Sequence, residues 1–419
     1  MKPPSKKYSS RVMEFFRYIL RHRLTLAGRH LASLMVILMF VSGFVFYSTF
    51  LIYSLVIFLF LIFILNPILN YLINPRLKAV IDTPIRGSAG SEARQTVTVI
   101  NPSSRTAHMI TVREDRPPDG IVLSEPFGLL IPRLLGGEQV KVPLGLEFVR
   151  RGSYTLTGVG IDSPFPLGIT RTGPVIKKER HLLIHPRFEP LHSLNIPAGR
   201  KLQPGGIALA SEVGESTEFR STREFRTGDD PRYIHWPSWA RLNKPVVKEF
   251  HEEYYVRIAL FLDSFVPGNA PEESAEAFEA LLSLGASISD YLQRQEYIID
   301  IIAAGPEIYY LQAGRSLACL DQILDILACI EPCREKPYRR LEPHLVDELH
   351  KISTVIMLLL EVDDQRIDFL MKLHDLGVDM KVFVVNPDPS GVDLSGLGPL
   401  SGSLQILTPG QVQKGAGAL

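Results

Sequence analysis

Cysteine is scarce: the 419-residue chain has three, Cys319, Cys329 and Cys333. Three are too few for a disulfide framework and too few for a four-ligand zinc site. They read as reduced core thiols and favour a reducing compartment. Net charge is lacking too, with 45 Lys and Arg against 45 Asp and Glu. A general nucleic-acid binder carries a basic excess, so that class is excluded. Enzyme signatures are missing as well. No GxxxxGK[ST] phosphate loop and no GxSxG elbow occurs. His251-Glu252-Glu253-Tyr254-Tyr255 begins like a zinc-protease HExxH, but Tyr255 stands where the second His is needed. Cys329 and Cys333 lack a second pair to make a zinc site.

The most telling absence is local. No Asp, Glu, Lys or Arg occurs between Arg29 and Arg76. An apolar run of that length exceeds a signal-peptide core and is about twice what one bilayer crossing requires. Two spans are expected, roughly Leu24–Phe46 and Phe50–Leu72, with a turn near Tyr47, Ser48 and Thr49. A buried core hairpin is the soluble alternative. Lys6, Lys7, Arg11, Arg17, Arg21, Arg23 and Arg29 precede the run, which places the N-terminus in the cytoplasm. Two crossings then return residues 75–419 to the cytoplasm, as a multi-pass protein of the cell membrane; a single crossing puts them outside.

Zero net charge is a cancellation. Residues 1–30 sum to +7, residues 75–213 to +6, residues 214–257 to zero, and residues 258–390 to −13. A basic front is joined to an acidic back.

Residues 75–190 alternate apolar and polar in TVTVIN (Thr96–Asn101), HMITVRED (His108–Asp115), QVKVPLGLEF (Gln139–Phe148) and YTLTGVGI (Tyr154–Ile161). Asn101-Pro102, Pro117-Pro118, Gly136-Gly137 and Arg151-Gly152 mark turns between them. The pattern predicts an immunoglobulin-like β-sandwich used for packing or interaction. Residues 254–390 alternate differently. Strands at 256–263, 297–305, 353–362 and 378–386 and helices at 271–295, 316–330 and 364–377 predict a doubly wound, mostly parallel sheet. EIYYLQA reads as a hairpin partner of the second strand. Both Cys319 and Cys329 are expected on or near the apolar side of the second helix. The tail, 391–419, reads as flexible.

Between the two lies a linker, 191–253, with the densest chemistry in the chain. GESTEFRSTREFRTGDDPRYIHWPSWARLNKPVVKEFHEE (Gly214–Glu253) holds both tryptophans, Trp236 and Trp239, among alternating acids and arginines. Arg223, Arg226, Arg232 and Arg241 offer planar forks suited to carboxylates. One reading is a structural clasp in which Asp229 or Asp230 pairs Arg232 or Arg241 against the tryptophans. The other is a docking surface or an anionic-ligand site. His235 beside Asp229 and Asp230 has the makings of a general base, but no nucleophile or oxyanion donor accompanies it.

REFRTGDDPRYIHWPSWAR resembles the signature of the domain-of-unknown-function fifty-eight family of bacterial and archaeal proteins, an EF–ReY–GDdpR–IhW–AR pattern. Glu218, Phe219, Arg223, Glu224, Gly228, Asp229, Asp230, Pro231, Arg232, Ile234, His235, Trp236, Ala240 and Arg241 match it. Phe225, Thr227 and Trp239 depart from the usual Tyr, Pro and small residue. RRGSYTL, SPFPLGI and the apolar N-terminal run are also similar to that family. The resemblance implies a von Willebrand factor A-like domain over 254–390, whose relatives often hold a divalent metal in an Asp-x-Ser-x-Ser loop. Here the loop reads Asp263-Ser264-Phe265-Val266-Pro267. Phe265 and Pro267 cannot ligate a cation, so no metal and no other cofactor is expected. The resemblance further implies a partner, a MoxR-type AAA+ ATPase. The expectation is therefore a non-enzymatic scaffold or adaptor in the membrane, meeting the lipid bilayer and a protein partner but no nucleic acid. The alternatives are a hydrolase using Asp229, Asp230 and His235, or an outward-facing adhesion protein.

Overall fold

The computed structural model describes residues 23–42, 49–197, 203–204, 219–227, 229, 231–250, 254–255, 257–266, 272–304, 308–313, 317–334, 352–389, 398–415, 417 and 419. The chain divides into two compact units, Met1–His185 and Pro186–Leu419.

The first unit begins with α1 (Leu26–Ser42) and α2 (Thr49–Ile73), which pack against each other. Their apolar side chains, such as Phe40, Phe50, Leu51 and Phe58, are exposed, so this is not the buried core hairpin of a soluble protein. One helix among the described residues, Phe50–Ile73, is long and apolar enough to cross a membrane. Of the two spans expected from the sequence, the first starts later than Leu24: α1 has 17 residues, or about 25 Å at 1.5 Å per residue. The reason is at its start. Leu24 forms a β-bridge with Thr170, and the Thr25 amide donates to the Ile169 carbonyl at 3.1 Å. Residues assigned to the span belong instead to the neighbouring β-module.

The far end of α2 is tied to the same place. Asn66, Asn70 and Asn74 recur every fourth residue and so share one helix face. The Asn66 amide donates to the Thr170 hydroxyl at 2.6 Å, and Asn70 to the Ser163 and Phe165 carbonyls at 3.0 and 2.6 Å. Asn74 accepts from the His108 amide at 2.9 Å and donates to the Ser163 hydroxyl at 3.1 Å. The SPFPLG segment is thus the seat on which α2 stands. Asn66 and Asn70 are buried, and each uses its side-chain amide to bond backbone groups of this segment.

The β-module comprises β1 (Lys78–Asp82), β2 (Arg86–Ser88), β3 (Glu92–Ile100), β4 (Ala107–Glu114), β5 (Ile121–Leu123), β6 (Leu129–Leu134), β7 (Gln139–Phe148), β8 (Gly152–Asp162) and β9 (Val175–His185). Among the described residues they form one sheet ordered β1-β3-β7-β5 and another ordered β2-β9-β8-β4-β6. Alternate residues of both sheets, including Val97, Val99 and Val142 from one and Ile110, Val112 and Ile161 from the other, share a single core. This is the two-sheet module read from period-2 alternation. Within it lies a buried polar cluster. The Arg180 guanidinium donates to Glu114 at 2.5 Å, to Gln95 at 2.7 Å and to Thr83 at 3.0 Å, and the Gln95 amide donates to Glu114 at 2.7 Å.

The second unit carries β10 (Gln203–Pro204), β11 (Phe219–Glu224), α3 (Trp236–Leu242), β12 (Val246–Phe250), β13 (Tyr254–Tyr255), β14 (Arg257–Asp263), α4 (Glu272–Arg294), β15 (Ile298–Ala304), β16 (Ile308–Ala313), α5 (Leu317–Cys329), β17 (Thr354–Leu359), α6 (Asp364–Asp375), β18 (Asp379–Val385), β19 (Leu404–Leu407) and α7 (Pro409–Gln413). Among the described residues the main sheet is ordered β16-β15-β14-β17-β18-β19. All neighbours are parallel except β15 and β16, the expected hairpin. Phe278, Leu281, Leu327 and Val412 cover one face and Phe369, Leu370 and Leu373 the other, so the sheet is doubly wound.

Two expectations are corrected here. The tail is not wholly irregular: β19 pairs in parallel with β18, and α7 opens on a Thr408–Gln411 capping box. LQIL supplied an edge strand, and Thr-x-x-Gln supplied the helix start. Cys333 is a buried thiol, but Cys329 is exposed; it ends α5, where the apolar stripe has turned away.

Candidate interaction site

Alternating residues in β11 and β12 pair antiparallel, Arg223 opposite Val247 and Glu224 opposite Val246. The chain between them folds back on this ribbon. Phe225 donates its amide to the Pro245 carbonyl at 2.9 Å, and His235 donates its amide to the Val246 carbonyl at 2.8 Å. A 3-10 turn at Pro231–Tyr233 leads into α3, whose second residue is Pro237, where a missing N–H costs no helical hydrogen bond. Asn243 closes the helix at φ +53°, a conformation Asn tolerates better than most residues. In this subdomain Val246 and Val247 are buried, while α3 buries none of its residues. Polar contacts therefore carry much of its shape.

The clasp is made by Arg223 and Asp229. The guanidinium donates to both carboxylate oxygens, at 2.7 and 2.8 Å, and the Arg226 amide adds a third hydrogen bond at 2.8 Å. The sequence pointed to Arg232 or Arg241 as partner; Arg223 holds that place because β11 delivers it to the end of the ribbon where the turn brings Asp229 back. Hydrogen bonds from Arg223 and then from the Arg226 amide pull the Asp229 carboxyl down to about 2. A depressed carboxylate stabilises the folded form above its unfolded value and loses that contribution as pH falls through the folded one. Tryptophan emission of the full chain is therefore expected to stay constant down to about pH 4 and to change between about pH 4 and 2. Asp229→Asn should abolish that transition; its persistence would assign it elsewhere.

Trp236 and Trp239 lie three residues apart on α3 and stack, ring centroids 5.2 Å apart and planes 15° from parallel. Trp236 is 64% exposed, and Arg232, Arg241 and Leu242 are exposed beside it in sequence. The His235 Nδ1 lies 2.6 Å from the Ser238 hydroxyl, within one turn. The Lys244 ammonium pairs with Glu224 at 3.1 Å across the mouth of the ribbon. Of the predicted residues, Arg223, Asp229, Arg232, His235, Trp236 and Arg241 thus share one small subdomain. Phe219 contributes its backbone to β11. Glu218, Gly228 and Asp230 lie outside the described residues.

The second predicted location is the end of β14. Asp263 is fully buried there. Its Oδ2 accepts from Arg366 Nε at 2.9 Å and from Nη2 at 2.5 Å, and its Oδ1 accepts the Phe265 amide at 3.0 Å. Arg366 Nη1 lies 3.0 Å from Asp363, which caps α6 by accepting the Arg366 amide at 2.9 Å. Arg366 was not singled out from the sequence. Its only signal is position: a basic residue in the first turn of a helix, where acids are favoured.

Residues 221–385 match the family model described as "Protein of unknown function DUF58", in line with the signature read from the sequence. No curated protein matches. Among solved structures, similarity is found to native α2-macroglobulin of Escherichia coli from its MG7 domain to the C-terminus, at 14% identity over 32% of this chain and 20% of that one, TM-score 0.23. The trypsin-activated form matches at 15% identity over 38% and 9%, TM-score 0.21. The manganese-loaded TRAP protein of Plasmodium vivax matches at 13% identity over 38% and 70%, TM-score 0.27. The chain thus spans a fifth or less of the two macroglobulin chains it matches.

Proposed function

Taking residues 221–385 as a DUF58 segment, we propose that this chain is a membrane-anchored, non-enzymatic adaptor. In this reading its α/β domain is von Willebrand factor A-like, its β-module immunoglobulin-like, and its partner a MoxR-type AAA+ ATPase. The observation that carries the reading is the Trp236–Trp239 stack, with Trp236 exposed and Trp239 partly buried, and the exposed Arg232 and Arg241 close by in sequence. Stacked indoles with arginines are the composition of a protein-docking hot spot. The −13 balance of residues 258–390 further favours a partner with basic patches over an anionic surface. Both crossings of the N-terminal run and a cytoplasmic location of residues 75–419 belong to the same proposal.

A hydrolase at this loop is the weaker reading. Both oxygens of Asp229 already accept hydrogen bonds, from Arg223 and the Arg226 amide, which suits a structural carboxylate better than a partner that activates His235.

Crosslinked affinity capture of the full chain from its native membranes is expected to recover an AAA+ ATPase. Trp236→Ala should lower the recovery at least tenfold while the chain stays folded, since hot-spot residues contribute about 2 kcal/mol or more. Equal capture by the variant would remove the docking role from α3. Phosphoesterase or peptidase activity abolished by both Asp229→Ala and His235→Ala would replace the adaptor with the hydrolase.

A further inference from the structure

The order β16-β15-β14-β17-β18-β19 makes β14 the strand from which the sheet grows in both directions. In open α/β sheets the crevice beyond the carboxyl ends at that point is where ligands bind. In this chain three charged groups converge there. Asp263 ends β14, Asp363 precedes α6, and Arg366 lies in the first turn of α6. Asp263 and Arg366 are 0% and 1% exposed. The Arg366 fork gives two N–H groups to Asp263 and turns its third arm to Asp363, while its plane lies 5.6 Å from the centre of the Phe265 ring. The adjacent Ser264 hydroxyl is 1% exposed and has no hydrogen-bond partner among the described residues.

We infer that Arg366 is the resident cation of this crevice, standing between two carboxylates where a divalent metal would otherwise sit, and that removing it opens an oxygen-lined site for a hard divalent ion. A carboxylate as buried as Asp263 requires a counter-charge. A guanidinium supplies it with fixed, planar geometry that an ammonium lacks. While Arg366 is in place, its cation takes Oδ2 of Asp263 with two N–H groups and holds the position beside that carboxylate against a second cation. Without it, Asp263, Asp363 and the unpartnered Ser264 hydroxyl form an all-oxygen set, the kind Mg²⁺ and Mn²⁺ take. The wild-type domain therefore keeps one arrangement whatever the divalent-ion supply.

Mn²⁺ binding to the full chain in detergent, followed by electron paramagnetic resonance, tests this. Wild type is expected to bind no Mn²⁺, with a melting temperature unchanged by Mn²⁺ or EDTA. Arg366→Ala should bind one Mn²⁺ per chain and melt higher with Mn²⁺ than with EDTA. Adding Asp263→Asn should remove both effects. Arg366→Gln, which keeps more of the side-chain volume, should behave like Arg366→Ala. If neither variant folds alone, recovery of folded protein only in Mn²⁺ supports the inference, and recovery in neither condition overturns it. It is also overturned by Mn²⁺ on wild type that Asp263→Asn displaces, or by folded Arg366 variants that bind none.

Discussion

Replacement of Arg180 by Ala is expected to destabilise the β-module by about 3–5 kcal/mol, the cost of leaving a buried charge without its partner. Glu114 sits between the two sheets with its side chain fully buried. It accepts from Arg180 on one oxygen and from Gln95 on the other. Burial raises the Glu114 carboxyl, while hydrogen bonds from Gln95 and the charge of Arg180 pull it back. Removing Arg180 takes away the restraint and keeps the burial, so the carboxyl rises further. An acid whose folded-state value exceeds its unfolded one binds more protons when folded, so stability falls as pH rises between the two. The Arg180→Ala chain should therefore recover stability as pH drops from 7 towards 5. Denaturant unfolding of the full chain in detergent at both pH values reads the effect, and hydrogen exchange in β3, β4 and β9 locates it. A loss below about 1 kcal/mol, or one that deepens with acid, would mean the cluster is not sealed from water.

The same cluster shows where sequence reading stops. The strands of the β-module were legible because alternation with period 2 is a local property, as in Thr96–Asn101 and Gln139–Phe148. Gln95, Glu114 and Arg180 share the alternation phase of the buried Val97, Val112 and Leu182, but their polar type hides that in the sequence. Only the pairing of the sheets turns them inward to one another. The asparagines of α2 are a partial case. Their spacing of four is local but was not singled out from the sequence, and the seat they bind, Ser163–Thr170, is about a hundred residues away.

The charged loop before α3 divides in the same manner. Its composition announced a clasp, and a clasp is present. For Asp229 the partner is Arg223, which the ribbon brings to it, and not Arg232 or Arg241; the Asp230 alternative lies outside the described residues. Both tryptophans stood out in the sequence, but their stacking depends on α3 forming over Trp236–Leu242. At the end of β14 the Asp-x-Ser-x-Ser comparison drew attention to Asp263 as the one matching position of a degenerate loop. It gave no hint of Arg366, which is 103 residues downstream.

Replacement of Asp263 by Ala is expected to cost the α/β domain about 3–5 kcal/mol, and much more than replacement of Asp363. The two acids face the same guanidinium under different conditions. Asp263 is buried and gives Arg366 two of its hydrogen bonds, so its loss strands most of a charge where no water can replace it. Asp363 is 28% exposed; water takes over its share, and what remains is the loss of a helix cap, about 0.5–2 kcal/mol. The carboxylate of Asp263 also ties two strands indirectly, since it ends β14 and holds the helix that follows β17. Hydrogen exchange in β14, β17 and the first turn of α6 should therefore accelerate together in Asp263→Ala, but only in α6 for Asp363→Ala. Equal destabilisation by the two variants would place the anchor of the ion pair on Asp363 and the helix start. The predicted inequality follows from burial alone: the same ion pair is strong on the side that has lost its water and weak on the side that has kept it.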